Sequence, residues 1–199
     1  MIAYTTGNLL EADTEALVNT VNTVGVMGKG IALQFKEQFP ENFQRYAEAC
    51  KRKELEPGKL LMTTEHTVQG DKLIINFPTK TEWFRKSSYA YIESGLAALV
   101  KLIQDHGIRS IALPPLGCGH GGLDWAKVRP MIERHLGALP VRVVVYEPNG
   151  AVKAILQQET QRDAKLTPAR AMLLHALYDF EQHGERANLF VANKLAYFL

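Results

Sequence analysis

Apolar, β-rich segments alternate with segments of helical period along most of this chain, and that alternation restricts the fold more than any other feature. Ala16 to Asn22, Lys59 to Thr64, Lys72 to Phe77, Ser110 to Leu116 and Val141 to Tyr146 read as strands. Between them Ile31 to Cys50, Tyr89 to His106 and Trp125 to Leu136 read as helices. The second helix carries Ile92, Leu96, Leu99, Val100 and Ile103 on one face, the apolar stripe that covers a sheet. Ser87 and Ser88 ahead of it can accept hydrogen bonds from its free amides, and Gly107 behind it suits a left-handed stop. Pro130 lacks an amide hydrogen, which suggests that the third helix begins later than Trp125. A layered α/β domain follows.

The strand pattern stops after Glu147 to Gly150, so a domain is expected over residues 1–150 and a linker with the start of a helical domain over 151–199. Thr167-Pro168 reads as a helix start, with Met172, Leu173, Leu174, Leu177 and Phe180 at helical spacing and Gly184 as a stop. The apolar pattern is still running at Leu199, so the sequence is expected to end inside that second domain, a candidate for docking a partner. With 199 residues, 46% of them hydrophobic, the chain can bury one full core plus an appendage. It opens on an alternating apolar stretch and holds no run of about 18 apolar residues, so neither a leader nor a membrane span is expected and a cytoplasmic location is.

A net charge of +2, from 23 basic and 21 acidic residues, imposes no overall field, so any anionic ligand must be held locally. Two loops are suited to that. Asn22 to Gly30, with glycines at 25, 28 and 30, joins a strand to a helix whose first amides favour a diphosphate; a purely structural turn remains the alternative. Gly117 to Gly122 follows another strand with four glycines in six residues, a loop costly to order unless a ligand repays it. Gly28-Lys29 is followed by Gly30, not by Ser or Thr, so the nucleoside-triphosphate loop is excluded, and the dinucleotide fingerprint is out of register. Cys50 and Cys118 have no paired spacing, which supports neither a disulfide nor a zinc site. Cys118 reads as a small packing residue.

Gly7-Asn8, Val18 to Asn22, Gly28 to Gly30, Pro114 to Gly119 and Tyr146 to Pro148 together resemble, in order and spacing, the macrodomain pattern. The resemblance covers residues 1 to about 150 and is closest to the branch that contains the terminal ADP-ribose protein glycohydrolase and enzymes that remove ADP-ribose from thymidine in DNA. It implies a three-layer α/β/α fold with a mixed central sheet, a cleft for ADP-ribose, and no metal or other cofactor. The activity it implies is removal of ADP-ribose from thymidine in single-stranded DNA, as antitoxin to a DNA ADP-ribosylating toxin. An ADP-ribose reader without catalysis, or a hydrolase of protein-linked ADP-ribose or O-acetyl-ADP-ribose, stands as the alternative.

The resemblance also implies roles. Asn8 and Leu9 lie on the adenine side, with Glu147 and Pro148 as walls on the adenosine side, and Asn22 faces the distal ribose. Gly28, Lys29 and Gly30, with Gly117, Cys118, Gly119, His120, Gly121 and Gly122, wrap diphosphate and ribose. Lys80 stands beside the distal anomeric carbon as the catalytic residue, where a partly desolvated amine can attack a sugar carbon or act electrostatically. Some relatives place an acid where this chain has Gly121, which puts a lysine–acid pair in doubt; Asp124 reads better as a helix cap. His120 could move a proton, although a loop histidine more often faces solvent. Thr81, Trp83, Phe84 and Arg85 mix aromatic and basic character suited to single-stranded DNA, while the alternative is that Trp83 and Phe84 anchor the next helix to the core.

Overall fold

A computed structural model describes residues 1–67 and 70–148, together with Met172, His175 and Tyr178. The chain forms two compact units, Met1–Lys153 and Ala154–Leu199. In the second, Met172, His175 and Tyr178 are helical and exposed, within the helix expected after Thr167; the other C-terminal expectations lie outside the described residues.

The first unit carries β1 (Ile2–Thr5), β2 (Ala16–Val21), α1 (Gly30–Gln38), α2 (Pro40–Lys51), β3 (Leu61–Thr67), β4 (Gly70–Pro78), α3 (Tyr89–His106), β5 (Ser110–Leu113), α4 (Trp125–Leu136) and β6 (Arg142–Tyr146). Its six strands form one mixed sheet in the order β1-β6-β5-β2-β4-β3. Every neighbouring pair is parallel except β3 with β4. Successive strand residues face opposite sides. Ala16, Val18, Ile75, Phe77, Ile111, Leu113, Val143 and Val145 meet α3 and α4 on one side, whereas Leu17, Ile74 and Ala112 meet Phe35 and Phe39 on the other. The result is the expected α/β/α sandwich.

Several boundaries differ from expectation. The single helix expected over 31–50 is two, because Pro40 donates no amide and forces Phe39 out of helical geometry, to φ −127° and ψ 73°. Pro40 then opens α2 as its first residue, where its missing donor costs nothing. Pro130 has no such effect: α4 starts at Trp125 and runs through it. Ala126, whose carbonyl loses its partner, is exposed, so water can replace the lost donor. β5 ends at Leu113 because Pro114 and Pro115 have no hydrogen to give a ladder. The alternating start of the chain, not counted above as a strand, is β1 on the sheet edge.

α3 has the predicted limits, with Ser88 accepting from the Ala90 amide at 3.3 Å and Gly107 closing it at φ 62°. A buried polar network docks α2 on the sheet. Asn76 of β4 accepts from Asn19 of β2 at 3.1 Å and donates to Asn42 of α2 at 2.6 Å, and Thr63 of β3 donates to Asn42 at 2.8 Å. The Glu65 carboxylate accepts the Asn42 amide in the first turn of α2. Since Asn19, Asn42 and Asn76 are fully buried, pairing them offsets much of the desolvation cost that each alone would impose, although Asn19 Oδ1 is left without a partner. Among the described residues no helix is long and apolar enough to cross a membrane.

Gly95 marks the closest approach of α3 to the sheet: a Cβ there would lie 2.2 Å from the buried Phe77 ring. Alanine normally favours a helix over glycine by up to about 1 kcal/mol, but the overlap outweighs that. Gly95→Ala is expected to lower stability in urea unfolding by about 2 kcal/mol net.

Candidate active site at the carboxyl edge of the sheet

The five strands β1, β6, β5, β2 and β4 run in parallel, so their carboxyl ends share one edge. Every residue singled out for binding or catalysis lies just beyond one of these ends: Asn8 and Leu9 after β1, Asn22, Gly28, Lys29 and Gly30 after β2, Lys80, Thr81, Trp83, Phe84 and Arg85 after β4, Gly117 to Gly122 after β5, and Glu147 with Pro148 after β6. Ligand clefts of open α/β sheets form in this position.

The first glycine loop is braced from below. Asn22, 7% exposed, accepts from the amides of Val24 at 3.0 Å and Val26 at 3.3 Å, and its Nδ2 donates to the Val26 carbonyl. Tyr46 of α2, fully buried, aims its hydroxyl at the Asn22 carbonyl (2.9 Å) and Oδ1 (3.0 Å). Burial pushes the Tyr46 hydroxyl well above its usual range, so it remains a donor. The Asn22 side chain is thus engaged largely with its own loop. The loop leads into α1, and no side chain on its cap residue Lys29 occupies the first amides. By contrast α3 and α4 are capped by Ser88 and Asp124. The α1 start therefore presents unpaired donors and the positive end of the helix dipole to an anion.

The second glycine loop is folded on itself: Cys118 N donates to Pro115 O, Gly122 N to Gly119 O and Leu123 N to Gly117 O, each at 3.0 Å. Gly117 takes φ 70°, open to glycine at little cost. At Gly121 the constraint is space. A Cβ there would stand 2.2 Å from the Gly117 carbonyl oxygen and 2.3 Å from Ser87 Oγ, so this backbone admits no side chain at the position where some relatives carry an acid. Asp124 is the α4 cap, accepting from Ala126 at 3.0 Å, as expected. Cys118 is half-buried with Sγ 3.4 Å from the Leu116 carbonyl, in keeping with a packing role.

The segment after β4 straps the two loops together. Thr23 donates to the Thr81 carbonyl through its amide (3.0 Å) and its hydroxyl (2.8 Å). Ser87 N donates to Gly121 O at 3.0 Å, and Lys80 Nζ donates to the His120 carbonyl at 2.7 Å. The His120 ring edge lies against Gly30, where a Cβ would be 3.3 Å from Cδ2, so the glycine loops touch. Lys80 is half-buried, and burial holds its amine below the usual lysine range. His120 is exposed.

Elsewhere on the edge, Asn8 is exposed, accepting from Leu10 N at 3.1 Å and donating to Glu11 at 2.9 Å. Leu9 is buried against Phe35 and Phe39, which leaves only its backbone to face a ligand. Glu147 and Pro148 are half-buried, with Arg129 Nη1 3.4 Å from the Glu147 carboxylate. Trp83 and Phe84 do not anchor α3 to the core: they are 58 and 62% exposed and pack edge-on against each other at 5.4 Å. Arg85 is exposed beside them. Sequence reasoning missed the bracing by Tyr46, and of the two serines read as caps only Ser88 caps α3, while Ser87 braces the second loop through its amide. Tyr46, an aromatic in an amphipathic helix, carries no local mark of its hydrogen-bonding role.

A model of the Macro domain matches residues 18–132. The chain is 48% identical over its whole length to a DNA ADP-ribosyl glycohydrolase of Thermus aquaticus, covering 56% of that protein, and 49% identical over 92% of its length to a Mycobacterium tuberculosis protein of the same name, covering 51%. The chain thus spans about half the length of these relatives. The solved macrodomain of Thermus aquaticus DarG superposes with a TM-score of 0.71 at 53% identity, over 74% of this chain and 99% of that one. Thermosipho africanus DarTG in complex with ADP-ribose superposes with a TM-score of 0.72 at 38% identity, over 75% of this chain and 42% of that one.

Tyr46→Phe is expected to cost about 1–2 kcal/mol of stability by leaving buried acceptors without their donor. It should also speed amide hydrogen exchange at Val24 and Val26, because Asn22 and its loop lose their brace.

Proposed function

The chain belongs to the Macro domain family, and from that premise we propose that it is a DNA ADP-ribosyl glycohydrolase, cytoplasmic, that removes ADP-ribose from thymidine in single-stranded DNA. In this reading it is the antitoxin that reverses a DNA ADP-ribosyltransferase of the DarT kind, and that toxin is its partner. The similarity to glycohydrolases of that name over the full chain supports the reaction class. The observation that carries the reading is the Lys80 amine bonded to one of two touching glycine loops, its charged form disfavoured by burial.

ADP-ribose enters with its diphosphate against the free amides of α1 and the backbone of Gly28 to Gly30, facing Gly117 to Gly122. Asn8 and the Leu9 backbone, with Glu147 and Pro148, flank the adenosine, and the distal ribose reaches Asn22 and Lys80. The bond from Lys80 Nζ to the His120 carbonyl uses one N–H of the amine. When the amine is neutral, its lone pair is left to point away from that carbonyl. Attack on the anomeric carbon forms a carbon–nitrogen bond to Lys80 as the bond to thymine breaks, and the amine's proton passes to the departing base. Water then displaces the lysine, releasing free ADP-ribose. Gly121 supplies no acid to this second step, and Asp124 is committed to its helix cap. His120 is the titratable group next to the lysine contact, suited to moving the proton of that water.

Trp83 and Phe84 offer π faces to neighbouring bases, while Thr81 and Arg85 steady the strand's phosphates. A rival reading, an ADP-ribose reader without turnover, draws on the missing acid at Gly121. Release of ADP-ribose from a thymidine-modified oligonucleotide separates the two, with a glutamate-modified peptide and Lys80→Ala alongside. Oligonucleotide release that falls at least roughly 100-fold in Lys80→Ala, with ADP-ribose affinity kept, supports the glycohydrolase; binding without release from either substrate marks the reader.

The pH dependence follows from the same amine. A lowered lysine pKa raises the neutral fraction at a given pH, so single-turnover release should climb with pH and level off below the ordinary lysine value of 10.5. A rate that instead falls as pH rises through that range would point to an electrostatic role for Lys80, because the cation is lost on deprotonation.

A further inference from the structure

Among the described residues of the first unit, the large apolar side chains left exposed besides Met1 are Val24, Val26, Trp83 and Phe84, at 47, 40, 58 and 62%. They come from two loops only, and Thr23 joins those loops by its two hydrogen bonds to the Thr81 carbonyl, one residue from Lys80. The aromatic pair has been given a task; the valines have not. Nothing in the loop's own architecture asks for them. Asn22 braces the loop through the backbone amides of Val24 and Val26, bonds that most side chains at either position would preserve.

The bracing nevertheless fixes where the two side chains stand. β-Branched valines on a pinned backbone have little rotamer freedom left to lose, so they make a stiff apolar wall rather than a mobile one. Val26 leans over the glycine loop, its Cγ1 3.7 Å from where a Gly28 Cβ would be. Around this wall the charges favour an anion. Lys29, Lys80, Arg85 and Lys86 lie on the two loops against the single carboxylate of Glu82. A ligand with an apolar edge attached to a phosphate chain meets both conditions, and a nucleic-acid base is such a ligand. Stacking on Trp83 and Phe84 discriminates poorly among bases, whereas an apolar side wall responds to a methyl group on the base edge.

We infer that Val24 and Val26 form the wall that receives the 5-methyl group of the modified thymine, and so set base specificity. This rests on the glycohydrolase reading above. Two synthetic oligonucleotides, ADP-ribosylated at thymidine or at deoxyuridine, differ only in that methyl group and supply the test. Initial release rates would be measured for the native chain, Val24→Thr, Val26→Thr and the double variant, with ADP-ribose affinity and thermal unfolding as controls. Threonine keeps the β-branched shape and the braced amide, so the fold should be unaffected.

The native protein should favour thymidine by roughly 4- to 10-fold, the effect of one buried methyl group. The double variant should slow release from thymidine towards the deoxyuridine rate, leaving the deoxyuridine rate and ADP-ribose affinity unchanged. Equal native rates on the two substrates, or a preference that survives the double variant, would overturn the assignment. Absence of release from both by native protein that still binds ADP-ribose would be a different result: it removes the glycohydrolase reading itself, and the valine wall with it.

Discussion

The central strand Ala16–Val21 pairs in parallel with both Gly70–Pro78 and Ser110–Leu113, and that alignment decides where every loop of the site falls. Parallel strands need helical crossovers, so their carboxyl ends gather at one edge while the helices cover the two faces. The loops after β2, β4 and β5 are brought within hydrogen-bonding distance by the sheet. Their mutual bonds, from Thr23 to Thr81, Lys80 to His120 and Ser87 to Gly121, then fix the details. A cleft assembled this way is organised in advance, which lowers the ordering cost of binding.

Much of the fold was legible because its signals are local. The Ser88 cap, the Gly107 stop and the apolar stripe between them define α3 without reference to anything distant. Proline shows where local reading weakens. The same missing hydrogen that divides α1 from α2 at Pro40 is tolerated inside α4 at Pro130. Lys36 and Ala126, four residues before the two prolines, are both exposed, so water reaches either orphaned carbonyl and nothing local decides between a break and a continuous helix. β1 is too short to be distinguished by periodicity, and it becomes a strand by pairing with β6, the far end of the domain in sequence.

The site was legible in part for a related reason. Glycine density and strand ends point to the two loops, and the family pattern points to Lys80. What those signals omit is the support beneath them. Asn42 and Tyr46, one helical turn apart on α2, look like an ordinary inward face, yet one joins the buried asparagine network and the other braces Asn22. Their roles depend on partners from β2, β4 and the first glycine loop, tens of residues away, so no local pattern encodes them. Trp83 and Phe84 are the opposite case: sequence left core anchor and exposed platform both open, and solvent exposure rules out the core anchor.

The close quarters at Gly121 bear on how such a site can change over evolutionary time. With a backbone carbonyl and Ser87 both within 2.3 Å of any added carbon, an acidic residue cannot be gained there by one nucleotide change in an otherwise intact loop. Trimming Ser87 would clear only one of the two obstacles, since the other is the main chain itself. A lineage with this loop conformation is therefore confined to chemistry that does without an acid at that point. Moving to a lysine–acid pair would require remodelling of the loop, with the temporary loss of fitness that a broken binding site entails.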